Sequence, residues 1–322
     1  MGKGCEVWVI DRLPARPLEG SPSEVVDLRD RNALADYLRR EGPFDAIHHV
    51  AAELAHEMDS EESLWESNVT GTKNLAEMAI EFGTKQFVFV SSNCLWGRPF
   101  DRPVTEEDIP EPIEVYGRSK WAGEKILQGL SDKLHSTIIR TPTITSSGRL
   151  GLLAILFEFI QENRRIYTVG RGDNRYQFVY ANDLAEACWL GSHEEATEVY
   201  NVGSENVKSL REVYQYVIDN SGSTSKIVSL PKTLTLFLMR LAHHLRISPL
   251  GPYHYRMIAE SFVFDTTKIR ERLGWKPTRT NEQILFEAYQ FFASGEYLKG
   301  ENLSTHSRPA AMGVIKLVKW FS

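Results

Sequence analysis

Ser91-Ser92-Asn93-Cys94-Leu95-Trp96-Gly97 is the stretch from which the fold of this 322-residue chain can be inferred. It follows directly on a very apolar run, Gln86-Phe87-Val88-Phe89-Val90, which is typical of a strand buried in a parallel sheet. Open α/β sheets bind their ligands at the carboxyl ends of the strands. We therefore expect Ser91 and Ser92 to lie at the ligand-binding edge of such a sheet.

Tyr116-Gly117-Arg118-Ser119-Lys120 begins 19 residues after Gly97 and leads into a predicted helix over residues 119–130. The spacing of four places Tyr116 and Lys120 on one helical face. A free tyrosine, with a pKa of about 10, is a poor base at neutral pH, and a nearby ammonium group favours its phenolate form. Lys120 can supply that charge and Ser92 can hold a substrate oxygen. Tyr116 would then take a proton from a hydroxyl as a hydride leaves the same carbon.

The Tyr-x-x-x-Lys spacing has little specificity by itself, because the tyrosine and lysine content of the chain gives about 0.5 matches by chance. A surface tyrosine and a solvated lysine on an amphipathic helix are the alternative. The strand-end serines upstream and dinucleotide-fold features on both sides favour the catalytic interpretation. With these motifs, residues 5–295 resemble the extended short-chain dehydrogenase/reductases, the NAD-dependent epimerase/dehydratase family, whose motifs occur in the same order.

The resemblance implies a doubly wound parallel α/β sheet of the Rossmann type and a smaller α/β substrate domain. We expect an NAD-binding domain at residues 1–161 and a substrate domain at 162–299, with strands that return to the main sheet. Residues 300–322 form a C-terminal tail outside the resemblance. NAD is the cofactor that the resemblance implies, and a homodimer is the assembly.

Composition excludes several other classes of protein. A net charge of −6 and a pI near 5.9 argue against a nucleic-acid-binding surface. The three cysteines are odd in number and show no pattern, so neither a disulfide framework nor a zinc site is expected. His48 and His49 are expected to pack within a strand, and no metal is predicted. Without a signal peptide or an apolar run long enough to cross a bilayer, the chain is expected to be cytoplasmic.

The glycine-rich phosphate loop of dinucleotide folds normally lies about 20 residues before the acidic residue that ends the second strand. Here that strand is predicted at Cys5 to Asp11, and only Met1-Gly2-Lys3-Gly4 precede it. We therefore expect the first strand and its pyrophosphate cradle to be missing from this sequence. A start codon assigned too late and a truncated, inactive copy are both compatible with this pattern, and the late start is favoured.

Most predicted cofactor contacts follow from the resemblance. Asp11 would accept the adenosine ribose hydroxyls and favour NAD over NADP, unless it only caps a turn. Asp27 and Leu28 would contact the adenine, although Asp27 is also a candidate helix cap. Asn68 would support the active-site strand. The predicted cofactor-binding residues are Asp11, Arg12, Asp27, Leu28, Val50, Ala51, Ala52, Asn68, Ser91, Tyr116, Lys120 and Thr143.

The predicted substrate contacts depart from the family pattern. Sugar-nucleotide members carry Arg-Pro-x-Asn at the end of the next strand, whereas this chain has Arg140-Thr141-Pro142-Thr143. Arg175 is the nearest candidate for the arginine that family members place against a substrate phosphate, and an exposed turn arginine is the equal alternative. The predicted substrate-binding residues are Asn93, Trp96, Arg175 and Gln177.

The leading functional prediction is an NAD-dependent epimerase, or a related oxidoreductase, that acts on a nucleotide-sugar. Dehydrating members of the family carry Asp-Glu after the catalytic hydroxyl, and Asn93 and Cys94 at those positions favour epimerisation or oxidation. A net NAD(P)-dependent alcohol dehydrogenase or ketoreductase for a less polar substrate is an alternative, favoured by Thr143 and by an apolar helix predicted at residues 231–247. The missing loop favours a third possibility, a cofactor-free binding relative.

The C-terminal tail contains an amphipathic segment from Met312 to Phe321. Val314, Leu317, Val318 and Phe321 share one face of it, with two lysines between them. A membrane-surface helix or a docking segment would show this pattern. A short terminal helix that packs on its own domain is the more common alternative.

Overall fold

The computed structural model describes residues 4–14, 20–55, 58–151, 153–245, 255 and 258–296. Two compact units are present. The first contains the residues up to Gly97, with Ile109–Arg140 and Glu186–Tyr200, and the second contains Arg98–Asp108, Thr141–Ala185 and the residues from Asn201 onward. The division therefore falls after Arg140, whereas the sequence predicted a boundary after Gln161. The tail segment predicted at residues 312–321 lies outside the described residues.

Strands and helices alternate along the chain, and the predicted α/β class is confirmed. The strands are β1 (Val9–Asp11), β2 (Ser23–Val25), β3 (Ala46–His49), β4 (Gln86–Val90), β5 (His135–Arg140), β6 (Thr143–Thr145), β7 (Ile166–Val169), β8 (Phe178–Tyr180), β9 (Glu198–Asn201) and β10 (Ile227–Leu230). The helices are α1 (Arg31–Glu41), α2 (Glu61–Trp65), α3 (Gly71–Glu81), α4 (Val115–Gly129), α5 (Leu153–Gln161), α6 (Ala181–Gly191), α7 (Leu210–Ser221), α8 (Lys232–His244), α9 (Thr267–Leu273) and α10 (Asn281–Ala293). Within the described part of the chain, none of the helices combines the length and apolar character that a bilayer crossing requires.

The main sheet has the order β3-β4-β5-β9, and β4 pairs in parallel with both β3 and β5. β1 and β2 form a separate two-stranded parallel sheet. Among the described strands, β1 and β3 are therefore not neighbours in one sheet. A Rossmann sheet has the order 3-2-1-4-5-6, so its first strand would lie in this gap between β1 and β3.

The core of the first unit is built around β4. Phe87, Val88 and Phe89 have no exposed surface, so both faces of the strand are covered. This is why the run is apolar throughout instead of alternating. Leu34 of α1 and Leu75 of α3 belong to the same buried cluster as Phe87. The carboxyl end of β4 is thereby fixed in a rigid part of the molecule.

The helix predicted from Trp65 to Ile80 has an interruption that the sequence did not reveal. It begins earlier, at Glu61, where the Ser60 hydroxyl accepts the Ser63 amide. Between α2 and α3, residues Glu66–Thr70 form a π-helical turn. Such turns widen a helix locally and are frequent at functional sites. Here the turn contains Asn68, whose side chain is buried.

The second unit has two short parallel strand pairs, β6–β8 and β7–β10, of which β10 was not predicted. Phe157 of α5, Val213 of α7 and Leu285 of α10 form its main buried cluster. Gln177 joins separate segments in this unit, because its amide donates to the Ser204 carbonyl at 2.7 Å and accepts the Phe264 amide at 2.8 Å. The buried Gln177 side chain is therefore hydrogen-bonded to backbone groups of this unit.

Helix α4 packs very closely on the turn that follows β4, and glycine makes this possible. A Cβ atom on Gly117 would lie 2.1 Å from the Cys94 carbonyl oxygen. A Cβ atom on Gly123 would lie 2.9 Å from the Phe89 ring. The helix that carries Tyr116 and Lys120 is therefore held directly against the strand end that carries Ser91 and Ser92.

This packing predicts opposite effects for two glycines of α4. Gly117→Ala should lower the free energy of unfolding by about 2 kcal/mol, because a backbone carbonyl must move to admit the methyl group. Gly129→Ala is the matched control, since its Cβ would meet no atom within 4 Å. Alanine is the better helix former, so this change should leave stability equal or raise it by up to about 1 kcal/mol. Urea denaturation measures both, and equal effects would contradict the close contact at Gly117.

Candidate active site

Ser91 and Ser92 lie at the carboxyl end of β4, as the sequence predicted. The Ser91 amide donates to the Ile139 carbonyl at 2.8 Å, which continues the pairing of β4 with β5. Ser92 begins a short 3₁₀ turn, Asn93–Leu95, and its hydroxyl oxygen accepts the Cys94 amide at 3.2 Å. The position of the Ser92 hydroxyl is thus set by both the strand and the turn.

Tyr116 and Lys120 lie on α4, which begins one residue before Tyr116. Lys120 is only 3% exposed. Its ammonium group donates to the Val90 carbonyl at 2.9 Å and lies 4.7 Å from the centre of the Phe89 ring. The carbonyl dipole and the face of the ring both favour a positive charge. The predicted lysine is therefore a buried cation at the carboxyl end of β4.

Burial has a large effect on the electrostatics of this lysine. It lowers the pKa of Lys120 to about 8, while the negative charge of Glu124 and the nearby Cys94 act in the opposite direction. At neutral pH the ammonium form still predominates. A cation in such a poorly solvated position interacts strongly with a neighbouring phenolate, because little water screens the charge.

Asn68 connects the turn after β3 to the start of α4. Its side chain donates to the Glu53 carbonyl at 2.9 Å and accepts the Glu53 amide at 2.7 Å. The same amide donates to the Ser119 hydroxyl at 3.1 Å, and this hydroxyl donates to the Tyr116 carbonyl at 2.8 Å. Asn68 thus contacts the backbone around Tyr116 through Ser119, and the support of the active-site strand that the resemblance implies for it stays a prediction.

A buried ion pair lies beside the predicted catalytic residues, and sequence reasoning missed it. Glu124 and Arg140 have side chains that are 0% and 3% exposed, and their shortest N–O distance is 2.8 Å. The Ser91 hydroxyl donates to Glu124 at 2.5 Å. The available signal was spacing, because Glu124 follows Lys120 by four residues, as Lys120 follows Tyr116. The three side chains therefore share one face of α4.

Trp96 and Asn93 were predicted to contact substrate, and the structure buries both. The Trp96 indole donates to the Ile109 carbonyl at 3.1 Å, and the Arg140 guanidinium lies 5.2 Å from its ring centre. Trp96 thus covers the buried ion pair of Glu124 and Arg140. The substrate contact of Trp96 stays a prediction.

His49 is buried at the end of β3, as expected. A ring nitrogen of His49 lies 2.8 Å from the Thr72 hydroxyl, and the ring lies 5.4 Å from that of Phe89. Burial, with a smaller effect from the charge of Lys120, lowers the pKa of His49 to about 3. Among the described residues, no group of three or more His, Cys, Asp and Glu side chains is placed to hold a metal.

Asp11 and Asp27, which were predicted to bind the adenosine end of the cofactor, have different partners. Asp11 is exposed at the end of β1, and its carboxylate accepts the Leu13 amide at 2.9 Å. Asp27 pairs with Arg29 at 2.6 Å, and this hydrogen bond lowers the pKa of Asp27. The helix cap considered for Asp27 is wrong, because Asp30 caps α1 by accepting two amides.

The other predicted cofactor residues follow β1, β2 and β3. Arg12 bonds the buried Glu53 carboxylate at 3.1 Å, which links the end of β1 to the turn after β3. Val50 is 65% exposed and Ala51 is also exposed, whereas Ala52 is half-buried. Leu28 is half-buried, and its carbonyl accepts the Asn74 amide at 2.9 Å.

These residues fit the two ribose ends of a dinucleotide. An exposed carboxylate at Asp11 suits ribose hydroxyls, and the buried ammonium of Lys120 suits the nicotinamide ribose. In the turn Val50-Ala51-Ala52, the first two residues are exposed and the third is half-buried. The described residues that precede β1 contain no glycine-rich turn between a strand and a helix, so no cradle for the pyrophosphate is assigned.

In the second unit, the predicted cofactor residue Thr143 and the predicted substrate residues Arg175 and Gln177 have separate surroundings. The Thr143 hydroxyl lies 3.0 Å from the Tyr176 hydroxyl, and Tyr176 is buried. Arg175 is exposed. Hydrogen bonds from Ser209 lower the pKa of Glu212, and the charge of Arg175 acts in the same direction. Gln177 is buried and bonds to backbone groups, as described above.

The buried ion pair predicts a large loss of stability in Glu124→Gln. The change leaves the Arg140 guanidinium buried without its counter-ion, which should lower the free energy of unfolding by about 3–5 kcal/mol. Glu77→Gln is the matched control, because Glu77 pairs with Arg31 at 2.6 Å on the surface. That change should cost less than about 1 kcal/mol. Similar urea midpoints for the two variants would show that the buried pair has no special role.

His49 predicts a measurable pH dependence of stability. Its pKa is about 3 in the folded chain, whereas the ordinary pKa of histidine is 6.5. Between these values the unfolded chain binds more protons, so the wild type should lose stability as the pH falls below 6.5. His49→Gln removes the titrating group and should lose about 1.4 kcal/mol less per pH unit in this window. Urea denaturation at several pH values tests this, and parallel curves would exclude a buried neutral histidine.

Comparison with known proteins identifies the family. The model of the NAD dependent epimerase/dehydratase family matches residues 1–203. An uncharacterised protein, y4nG, of Sinorhizobium fredii is 35% identical over 296 residues, which cover 90% of this chain and 73% of that protein. UDP-glucose 4-epimerase of Streptomyces lividans is 25% identical over 317 residues and 90% of each chain.

A solved structure shows the same fold. UDP-glucose 4-epimerase of Thermotoga maritima, crystallised with UDP-glucose, superposes with a TM-score of 0.74 at 21% identity. The match covers 92% of this chain and 93% of that one. With the family match over most of the chain, this establishes the enzyme class and its cofactor, NAD. The chain belongs to the NAD-dependent epimerase/dehydratase family.

Proposed function

We propose that the chain is an NAD-dependent epimerase that acts on a nucleotide-sugar by transient hydride transfer, with Tyr116 as the base. The observation that supports this most is the buried Lys120 ammonium, which shares a face of α4 with Tyr116 and bonds the last carbonyl of β4. This supports the proposal, because an ammonium group near Tyr116 would stabilise its phenolate form. The similarity to a UDP-glucose 4-epimerase supports the substrate class.

Each residue has a distinct part in the proposed reaction. Ser92 holds the reacting hydroxyl oxygen of the sugar, and Tyr116 takes the hydroxyl proton as the C–H bond breaks. Lys120 stabilises the Tyr116 phenolate and binds the nicotinamide ribose. NAD, when bound, accepts the hydride from the sugar carbon and returns it, so that the cofactor is recycled. Tyr116 then gives the proton back to the oxygen, and return of hydride to the opposite face of the keto sugar inverts the carbon.

The buried pair of Glu124 and Arg140 supports this scheme indirectly. Glu124 accepts the Ser91 hydroxyl, so the strand end and α4 are joined by a charged hydrogen bond. Gly117 permits the close approach of α4 to the turn of Ser92. In the proposed reaction, these contacts keep the serine, the tyrosine and the lysine in one arrangement, which a proton transfer requires.

The proposed roles predict graded losses of activity. Tyr116→Phe should lower kcat by about 10²–10⁴-fold, because the proton acceptor is lost. Ser92→Ala should also lower kcat, whereas Lys120→Met should lower kcat and weaken binding of NAD⁺ as well. Conversion of UDP-glucose to UDP-galactose, followed by NMR with added NAD⁺, measures kcat, and calorimetric titration of NAD⁺ measures binding independently of turnover.

Tyr216→Phe on α7 is the matched control and should behave as the wild type. Full activity of Tyr116→Phe would contradict the assignment of the base. Wild-type NAD⁺ affinity in Lys120→Met would contradict the ribose contact. If the folded wild-type chain binds no NAD⁺ at all, the cofactor-free alternative gains support.

A net dehydrogenase or ketoreductase for a less polar substrate is the second candidate. Thr143 and the buried Tyr176 form a hydroxyl pair. Phe262, which pairs with the Tyr176 backbone, packs at 5.1 Å on Phe264 and at 6.3 Å on Phe100. If Thr143 lies against the substrate, this aromatic surrounding would favour apolar ligand groups over phosphates. Accumulation of NADH with a hydroxy substrate would support this candidate, since an epimerase gives no net reduction of NAD⁺.

A further inference from the structure

Helix α8 carries an exposed apolar stripe formed by Leu234, Phe237, Leu238, Leu241 and Leu245. These side chains are 44–62% exposed. Four of them, Leu234, Leu238, Leu241 and Leu245, follow one another at spacings of four, three and four residues. Phe237 lies three residues after Leu234, so all five share one face of the helix. None of the residues of α8 is buried. The sequence predicts an apolar helix at residues 231–247, and the structure leaves this face of it exposed.

The opposite side of α8 holds the helix on the second unit. Leu236 and Met239 are half-buried, and the Tyr255 hydroxyl donates to the Met239 carbonyl at 2.9 Å. The helix also follows β10 directly, and β10 pairs with β7. The apolar stripe is thus the outward face of an attached helix. A contiguous apolar patch of this kind on a surface marks an interaction site.

The segment of sequence that contains α8 carries charged residues of one sign. Residues 231–259 contain four Lys and Arg residues and no Asp or Glu, whereas the whole chain has a net charge of −6. Lys232 and Arg240 are exposed on α8 itself. An acidic surface is therefore the complementary partner.

The same charges disfavour two other occupants of the stripe. A second copy in a two-fold contact would bring two basic helices together. The C-terminal tail is basic too, because residues 302–322 include Arg308, Lys316 and Lys319 and no acidic residue. Neither occupant would neutralise the positive charge of α8.

We propose that the apolar stripe of α8 docks on an anionic lipid bilayer surface. Leucine and phenylalanine on one face with lysine and arginine beside them are the pattern of helices that lie in the bilayer interface. The stripe enters the boundary between headgroups and acyl chains, and the positive charge of the segment around α8 is attracted to anionic headgroups. The helix lies along the surface, since 13 residues are too few to cross it. The docking surface is independent of the proposed catalytic reaction.

Vesicle flotation with the full chain tests this proposal. The wild type should float with vesicles of phosphatidylcholine and phosphatidylglycerol and much less with phosphatidylcholine alone. High salt should lower the bound fraction, because it screens the headgroup charge. Leu238→Glu combined with Leu241→Glu should lower partitioning by about tenfold or more, since it places two negative charges in the stripe. Circular dichroism confirms that the double variant is folded.

Val25→Glu is the matched control, because Val25 is 56% exposed in the first unit, and it should float as the wild type does. Absence of flotation with anionic vesicles would overturn the proposal, and so would equal binding to both vesicle types. If only Leu317→Glu abolished flotation, the tail would be the membrane contact instead. A lower molar mass of the double variant in light scattering would assign the stripe to a second copy.

Discussion

The buried ammonium of Lys120 is the interaction on which the rest of the first unit depends. A buried cation is costly unless hydrogen bonds and opposite charge surround it. Here the Val90 carbonyl, the Phe89 ring and the charge of Glu124 meet that requirement. All three lie on β4 or α4, so the charge can be buried only if the helix packs tightly on the strand. The absent side chain of Gly117 allows that packing.

The second buried charge, Glu124, extends the same constraint into the core. Arg140 at the end of β5 pairs with it, and Trp96 covers the guanidinium. β4, β5 and α4 therefore meet in one polar cluster beneath the apolar core. Ser91 belongs to this cluster through its bond to Glu124, while the hydroxyl of Ser92 next to it accepts the Cys94 amide. The two adjacent serines thus have different hydrogen-bond partners.

The sequence was informative where the signal is local and less so where it depends on distant partners. The strand Gln86–Val90 has the predicted bounds, because an apolar run acts over a few residues. Glu124 was missed, since its partner Arg140 lies 16 residues away along the chain. Gln177 was predicted to contact substrate, and its partners Ser204 and Phe264 lie 27 and 87 residues away along the chain. A polar side chain does not indicate which of its possible partners it will meet.

The separation of the β1–β2 sheet from the main sheet also divides the proposed cofactor site. Asp11 lies at the end of β1, and Ser91 and Ser92 follow β4, so residues of the proposed cofactor site belong to different sheets. Arg12 and Glu53 connect these sheets by an ion pair whose carboxylate is buried. Asn68 in turn fixes Glu53 by two backbone hydrogen bonds and reaches the Tyr116 carbonyl through Ser119. A continuous chain of polar contacts therefore joins the end of β1 to the start of α4. The π-helical turn between α2 and α3, which holds Asn68, is the element that makes this connection, because it places a buried amide between the two parts of the site.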